Sequence, residues 1–224
     1  MKVAIIQPSY FPWRGYFSIM AEVDTFVFLD DVQYTKSDWR NRNKFDINGD
    51  AAWLSIPIKS HSKFTKINEV EINNQTNWQQ KHLRTFLYNY GRAPFFDDAY
   101  KIFSEIGNKN QDSLSTLTIN TSKAVASYLN LQTHFITSSS LGIVGETPSM
   151  RLALITKELD GNLYLSGPTA IDYLEIDEFE KRKIEVNFKN HEYDTYTRGE
   201  RKFLDYLSIL DLISFHGPNS VDFL

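Results

Sequence analysis

Met1-Lys2-Val3-Ala4-Ile5-Ile6-Gln7-Pro8-Ser9-Tyr10-Phe11-Pro12-Trp13-Arg14-Gly15-Tyr16, followed by Thr25-Phe26-Val27-Phe28-Leu29-Asp30-Asp31-Val32-Gln33, is the stretch that decides the fold. Val3 to Ile6 is a short apolar, mostly β-branched run, the mark of a buried strand. Pro8 and Pro12 end it and forbid helix between them, since proline lacks an N–H and constrains the residue before it. From Arg14 onward Tyr16, Phe17, Met20 and Val23 supply the apolar positions of a helix. Thr25 to Leu29 is a second apolar run, stopped by Asp30-Asp31. Strand, loop, helix and strand within about thirty residues make a βαβ unit. The polar clusters Gln7 to Arg14 and Asp30 to Gln33 then follow the carboxyl ends of parallel strands, where open α/β sheets bind ligands.

Working outward, Lys36 to Asn43 is polar without an apolar period and reads as loop. Ala51 to Ile58 reads as a strand after the Asn48-Gly49 turn signal, and the alternation of Ile67 to Ile72 reads as its hairpin partner. Helices are predicted from Asn77 to Asn89, from Phe96 to Ile106, and from Leu114 to Leu129 with a nick near Thr118 to Asn120. A second βαβ unit follows: strand Gln132 to Ser138, helix Ser149 to Leu159 and strand Leu163 to Leu165, broken by Ser166-Gly167-Pro168. Ala170 to Phe179 reads as mostly helix, Ile184 to Phe188 as strand and Leu207 to Phe215 as a closing helix. The expected fold class is α/β: a largely parallel sheet built from βαβ units, in a single 1–224 domain, with 77–129 a helical insertion or subdomain.

The chain has 224 residues, enough to bury a proper core. It contains no cysteine, which excludes disulfides, thiolate metal sites and cysteine nucleophiles. With 28 acidic and 24 basic residues the net charge is −4, which argues against general nucleic-acid binding. No apolar stretch approaches the roughly 18 residues of a membrane span, and no secretory signal pattern opens the chain. A cytoplasmic location is expected. The 16 Phe and 12 Tyr are chiefly core material.

Four polar clusters follow predicted strands: Gln7 to Arg14, Asp30 to Gln33, Ser138 to Ser140, and Ser166-Gly167-Pro168-Thr169. In a parallel sheet they share one rim. Gln7 and Arg14 precede or open a helix whose free N–H groups suit an anion. Tyr10 and Trp13 either line this site or pack the core. Asp30 and Asp31 are the candidate catalytic pair, as general base or substrate ligand. Adjacent strand residues face opposite ways, and Asp30, sharing parity with Phe26 and Phe28, is expected to face the site. Gln33 continues that cluster. Arg40 and Arg42, alternating with Asn41 and Asn43, offer fork-shaped donors for phosphate or carboxylate. Ser166 and Gly167 resemble an anion-binding turn. His61, His82, His134, His191 and His216 form no paired metal motif. His82 and His191 stand out among them, though a structural role is the commoner fate of such residues. No Gly-rich nucleotide loop and no Gly-x-Ser-x-Gly elbow is present, so no cofactor is legible.

The blocks Gln7-Pro-Ser-Tyr-Phe-Pro-Trp-Arg-Gly-Tyr-Phe, Phe28-Leu-Asp-Asp-Val-Gln-Tyr, Trp39-Arg-Asn-Arg-Asn-Lys, Tyr164-Leu-Ser-Gly-Pro and Leu207-Ser-Ile-Leu-Asp together resemble the WbqC-like family, in family order and over almost the whole chain. That resemblance implies an association with bacterial O-antigen and other surface-polysaccharide gene clusters. It implies a cytoplasmic protein acting on an activated sugar or on a small acyl or amino-acid donor, and it supplies no catalytic residue by itself. Two functions are carried forward. One is a transferase acting on a nucleotide-linked sugar, with Gln7, Arg14, Arg40 and Arg42 holding the anionic part and Asp30 or Asp31 as base or ligand. The other is a non-catalytic nucleotide- or sugar-binding subunit of a biosynthetic complex.

Overall fold

The computed structural model describes residues 1–107, 111–190 and 192–224. In chain order the elements are β1 (Lys2–Ile6), α1 (Arg14–Ala21), β2 (Thr25–Phe28), β3 (Arg42–Ile47), β4 (Asp50–Ser55), α2 (Trp78–Tyr90), α3 (Phe96–Ser104), α4 (Leu114–Tyr128), β5 (His134–Thr137), α5 (Ser138–Leu141), α6 (Pro148–Glu158), β6 (Leu163–Ser166), α7 (Asp177–Glu180), β7 (Glu185–Phe188) and α8 (Ile209–His216). The chain divides into two compact units. The first comprises Met1–Gln7, Gly15–Asp31 and Leu131–Glu192, and the second Pro8–Arg14, Val32–Asn130 and Tyr193–Leu224.

The first unit is built on a five-stranded sheet in the order β5-β2-β1-β6-β7, with every neighbouring pair parallel. This confirms the α/β reading, and its cause is visible in the strands. Val3, Ala4 and Ile5 of β1 and all four residues of β2 are buried, as befits strands covered on both faces. Val3, Ile5 and Val27 pack with Ala153, Ile155, Tyr164 and Phe179 on one side. On the other, the Phe26 ring lies 5.2 Å from those of Tyr16 and Phe28. The chain runs outward from β1 through β2 to β5, then crosses back to β6 and β7. The sequence-order reversal therefore falls between β1 and β6, the topological switch point of a doubly wound sheet.

The second unit contains the antiparallel pair β3–β4 with α2, α3, α4 and α8. Asn48 and Gly49 turn the hairpin with φ of 56° and 90°, the left-handed pair that two-residue hairpins favour. Phe11, Phe45, Phe86 and Phe103 form a buried aromatic centre.

Three local expectations need correction. The partner of β4 is Arg42–Ile47, not Ile67–Ile72: Ile67–Glu69 is a 3-10 turn, and the expected pairing survives only as an Ile58–Ile72 bridge. Arg42-Asn-Lys-Phe-Asp-Ile has no apolar run, and its buried Asp46 is held by Arg198 and Arg201 from distant sequence. Helix α4 is continuous, and the hydroxyls of Thr118, Thr121 and Ser122 bond back to carbonyls one turn earlier, the pattern by which a helix accommodates such residues in its interior. The stretch from Ala170 to Phe179 is a 3-10 turn over Pro168–Asp172 and the single turn α7 rather than one helix.

Candidate functional site

The carboxyl edge of the parallel sheet is built by the residues that follow its strands. Between β1 and β2 four residue pairs are in register, Val3↔Thr25 through Ile6↔Phe28. Between β1 and β6 only Lys2↔Leu163 and Val3↔Tyr164 pair. The two strands at the switch point are thus joined at their amino ends and not along their carboxyl halves. Gln7 follows β1, half-buried, and its carbonyl accepts the Tyr16 hydroxyl at 3.3 Å. Ser166 ends β6, buried, and Gly167 leads into the next turn with extended backbone.

Beside this pair of ends, β2 delivers Asp30 and Asp31. Asp30 is buried. Its carboxyl group accepts the Ser139 N–H at 3.0 Å and the Ser139 hydroxyl at 2.7 Å. The Ser138 hydroxyl, fully buried, lies 3.2 Å from Asp30 Oδ1, accepts the Asp30 N–H at 3.2 Å, and donates to Asp31. Asp30 therefore ties the end of β2 to the start of α5. Asp31 is half-buried and pairs with Arg151 of α6 at 2.5 Å. Burial pushes the Asp31 carboxyl up, but hydrogen bonds from Arg151 and Ser138 and the Arg151 charge outweigh it and hold its pKa below the usual carboxylate range. Arg151 also donates from Nε to the Ile143 carbonyl at 2.8 Å. Gly145 lets the preceding loop approach α6, since a Cβ there would stand 2.6 Å from the Arg151 backbone nitrogen.

The rim thus gathers Gln7, Asp30, Asp31, Ser166 and Gly167 on one sheet edge, together with Ser138, Ser139 and Arg151. Arg151 was not singled out from sequence. Its signal was a cation four residues into a helix starting at Pro148, near the positive end of the helix dipole, where an arginine needs an anion.

The other candidates belong to the second unit, where each has partners. Tyr10 is fully buried and its hydroxyl meets His82 Nδ1 at 2.9 Å. Trp13 lies 5.0 Å from the Tyr206 ring and 5.6 Å from that of Tyr193. Arg14 is buried, donates to the Asp194 carbonyl at 2.7 Å, and sits over the rings of Tyr193 and Tyr196. Gln33 donates to the Lys63 carbonyl at 2.7 Å. Arg40 donates to Ser9 Oγ at 2.7 Å and pairs with Asp38 at 3.5 Å. Asn41 bonds the Ile56 carbonyl and the Tyr34 hydroxyl. Asn43 clamps the carbonyls of Tyr10 and Phe11. Arg42 bonds the Ser37 carbonyl and lies 4.2 Å from the Trp53 ring centroid. His191 lies outside the described residues. Among the described residues no group of three or more His, Asp or Glu side chains gathers as metal ligands do, and no helix is long and apolar enough to cross a membrane.

Comparison with known proteins agrees with the motif blocks. The uncharacterized protein Rv1507c of Mycobacterium tuberculosis (strain ATCC 25618 / H37Rv) is 35% identical over 227 residues, covering 100% of this chain and 97% of the relative. No solved structure matches. The sequence pattern of the WbqC-like protein family matches residues 7–223, nearly the full length, and the chain belongs to the WbqC-like protein family.

Proposed function

We propose that the carboxyl edge of the parallel sheet is the substrate site of a transferase that acts on a nucleotide-linked sugar, with an acyl or aminoacyl donor, in surface-polysaccharide biosynthesis. The observation that carries the site is the short β1–β6 pairing at the switch point, because ligands of doubly wound sheets enter between strands whose connections leave in opposite directions. The polysaccharide setting rests on the family resemblance. In this reading Gln7, Ser166 and Gly167 border the crevice. Asp31 accepts a hydrogen bond from the sugar hydroxyl or amine that is to be modified, Arg151 balances charge beside it, and Asp30 holds the rim in place. Arg40 and Arg42 are proposed as anion-binding residues of the second unit.

One observation favours the alternative, a binding subunit without turnover. The Arg151 pair lowers the basicity of Asp31, and a weaker base is a poorer proton acceptor. Purified protein incubated with nucleotide-sugars and with acyl or aminoacyl donors, followed by mass spectrometry and calorimetry, separates the two. Turnover that falls by about 100-fold in Asp31→Asn while nucleotide-sugar binding persists supports the transferase. Binding without product, in the presence of the pathway partners, supports the subunit. Absence of binding to every nucleotide-sugar tested sinks both.

A further inference from the structure

The second unit holds an open pocket of about 410 Å³ at strand β4 and the start of α2, within the roughly 300–1,000 Å³ range of small-molecule sites. Its floor is apolar and aromatic. Leu54, Trp78 and His82 are buried there, and the Trp78 and His82 rings meet edge to face at 5.2 Å. Trp53, 39% exposed, forms a wall. The Trp39 ring lies 4.8 Å from that of Trp53, and the part of the Trp53 indole that stays exposed offers apolar surface for a ring to cover.

The charged residue that lines this pocket is a cation. Lys81 lines it and is exposed. The β3–β4 register pairs Lys44 with Trp53 and Arg42 with Ser55, which places both cations on the face that carries Trp53. The Arg42 guanidinium lies 4.2 Å and the Lys44 ammonium 5.4 Å from the Trp53 ring centroid. No aspartate or glutamate is among the lining residues. The first turn of α2 has no acidic residue and Asn77 makes no side-chain cap, so the amide end of this helix adds positive potential. His82 contributes no charge at neutral pH, since burial keeps its ring unprotonated. Trp78 Nε1 is already bonded to Asn74 at 3.2 Å, leaving its ring as apolar surface.

We propose that this pocket binds a ring compound bearing a phosphate or carboxylate, the chemistry shared by nucleotides and acidic sugars, with the ring against Trp53 and the anion toward Lys81. The pocket lies wholly in the second unit and stands apart from the rim reading, so either can fail without the other.

Isothermal titration calorimetry on the full chain tests it with uridine monophosphate, glucuronate, uridine, glucose and inorganic phosphate. Saturable binding of uridine monophosphate or glucuronate is expected, at least about tenfold tighter than its uncharged counterpart. Which of the two binds identifies the source of the anion. Lys81→Ala should weaken that binding about fivefold and Trp53→Ala by at least as much. Both side chains are exposed, so the variants should keep the wild-type melting temperature. The proposal is overturned if neither ring anion saturates by about 10 mM, if phosphate alone binds as tightly as the ring anions, or if binding survives both pocket substitutions intact.

Discussion

Lowering the pH from 7 to 5 should destabilise the second unit through one side chain, His82. The ring is 3% exposed. Burial is the main force on it, the Lys81 charge adds to it, and the Ser55 carbonyl opposes it weakly, so its pKa is pushed down to about 4. Nδ1 faces the Tyr10 hydroxyl at 2.9 Å, and burial raises the Tyr10 pKa, so that partner stays neutral throughout. In the unfolded chain the ring takes its proton near its ordinary value of 6.5. Between those two values the unfolded state holds a proton that the folded state refuses, and stability falls as pH falls. Above about 6.5 the effect vanishes, and below about 4 it is complete. The loss is about 2 kcal/mol by pH 5 and about 3 kcal/mol by pH 4. Urea unfolding followed by tryptophan fluorescence, for wild type and His82→Gln at pH 7, 6 and 5, isolates it. The carboxylates titrate in both proteins and cancel in the difference. The stability gap between them should move by about 2 kcal/mol in favour of the variant between pH 7 and pH 5. Parallel pH profiles would refute the reasoning, as would a ring pKa near 6.5 by NMR titration of the wild type.

Arg198→Met should cost about 3–5 kcal/mol in chemical denaturation, because it leaves Asp46 and Asp211, paired with Arg198 at 2.6 and 2.7 Å, as buried carboxyl groups without their shared cation. Asp30→Ala should cost about 2 kcal/mol, since the Ser139 N–H and hydroxyl lose a buried acceptor; hydrogen exchange should show the opening confined to the β2 and β5 ends. Gly145→Ala should cost about 1–3 kcal/mol, because the obstacle 2.6 Å from the new Cβ is backbone and cannot swing aside. A melting temperature equal to wild type for Gly145→Ala would show that the loop relaxes freely.

What was legible in the sequence was local. Val3–Ile6 and Thr25–Leu29 announce buried parallel strands because both faces of each are apolar, and the βαβ reading follows from Pro8, Pro12 and the helix between. Strand β3 was hidden because its inward residues include Asn43 and Asp46, polar groups whose burial depends on partners far along the chain: Asn43 on the carbonyls of Tyr10 and Phe11, Asp46 on Arg198 and Arg201. Nothing within a ten-residue window encodes those contacts. The same holds for the candidate site. Asp30 and Asp31 could be picked out as a strand-end pair, but their division of labour depends on Ser138, Ser139 and Arg151, more than a hundred residues later.

That division links the rim's construction to its electrostatics. Arg151 sits in the first turns of α6, where the helix dipole disfavours a cation by about 0.3–1 kcal/mol. Gly145 lets the preceding loop close onto the Arg151 backbone, and the Ile143 carbonyl orients the guanidinium. Among the described residues, the carboxylate that pairs with this arginine is Asp31. Asp31 in turn is aimed by the Ser138 hydroxyl, which Asp30 also contacts. The buried aspartate thus fixes the serine, the serine fixes its half-buried neighbour, and that neighbour neutralises the Arg151 cation. On the proposed function, a ligand anion that reached Arg151 would compete with Asp31. Such binding would be coupled to the protonation of Asp31 through one guanidinium, because displacing the arginine removes an interaction that keeps the Asp31 pKa low.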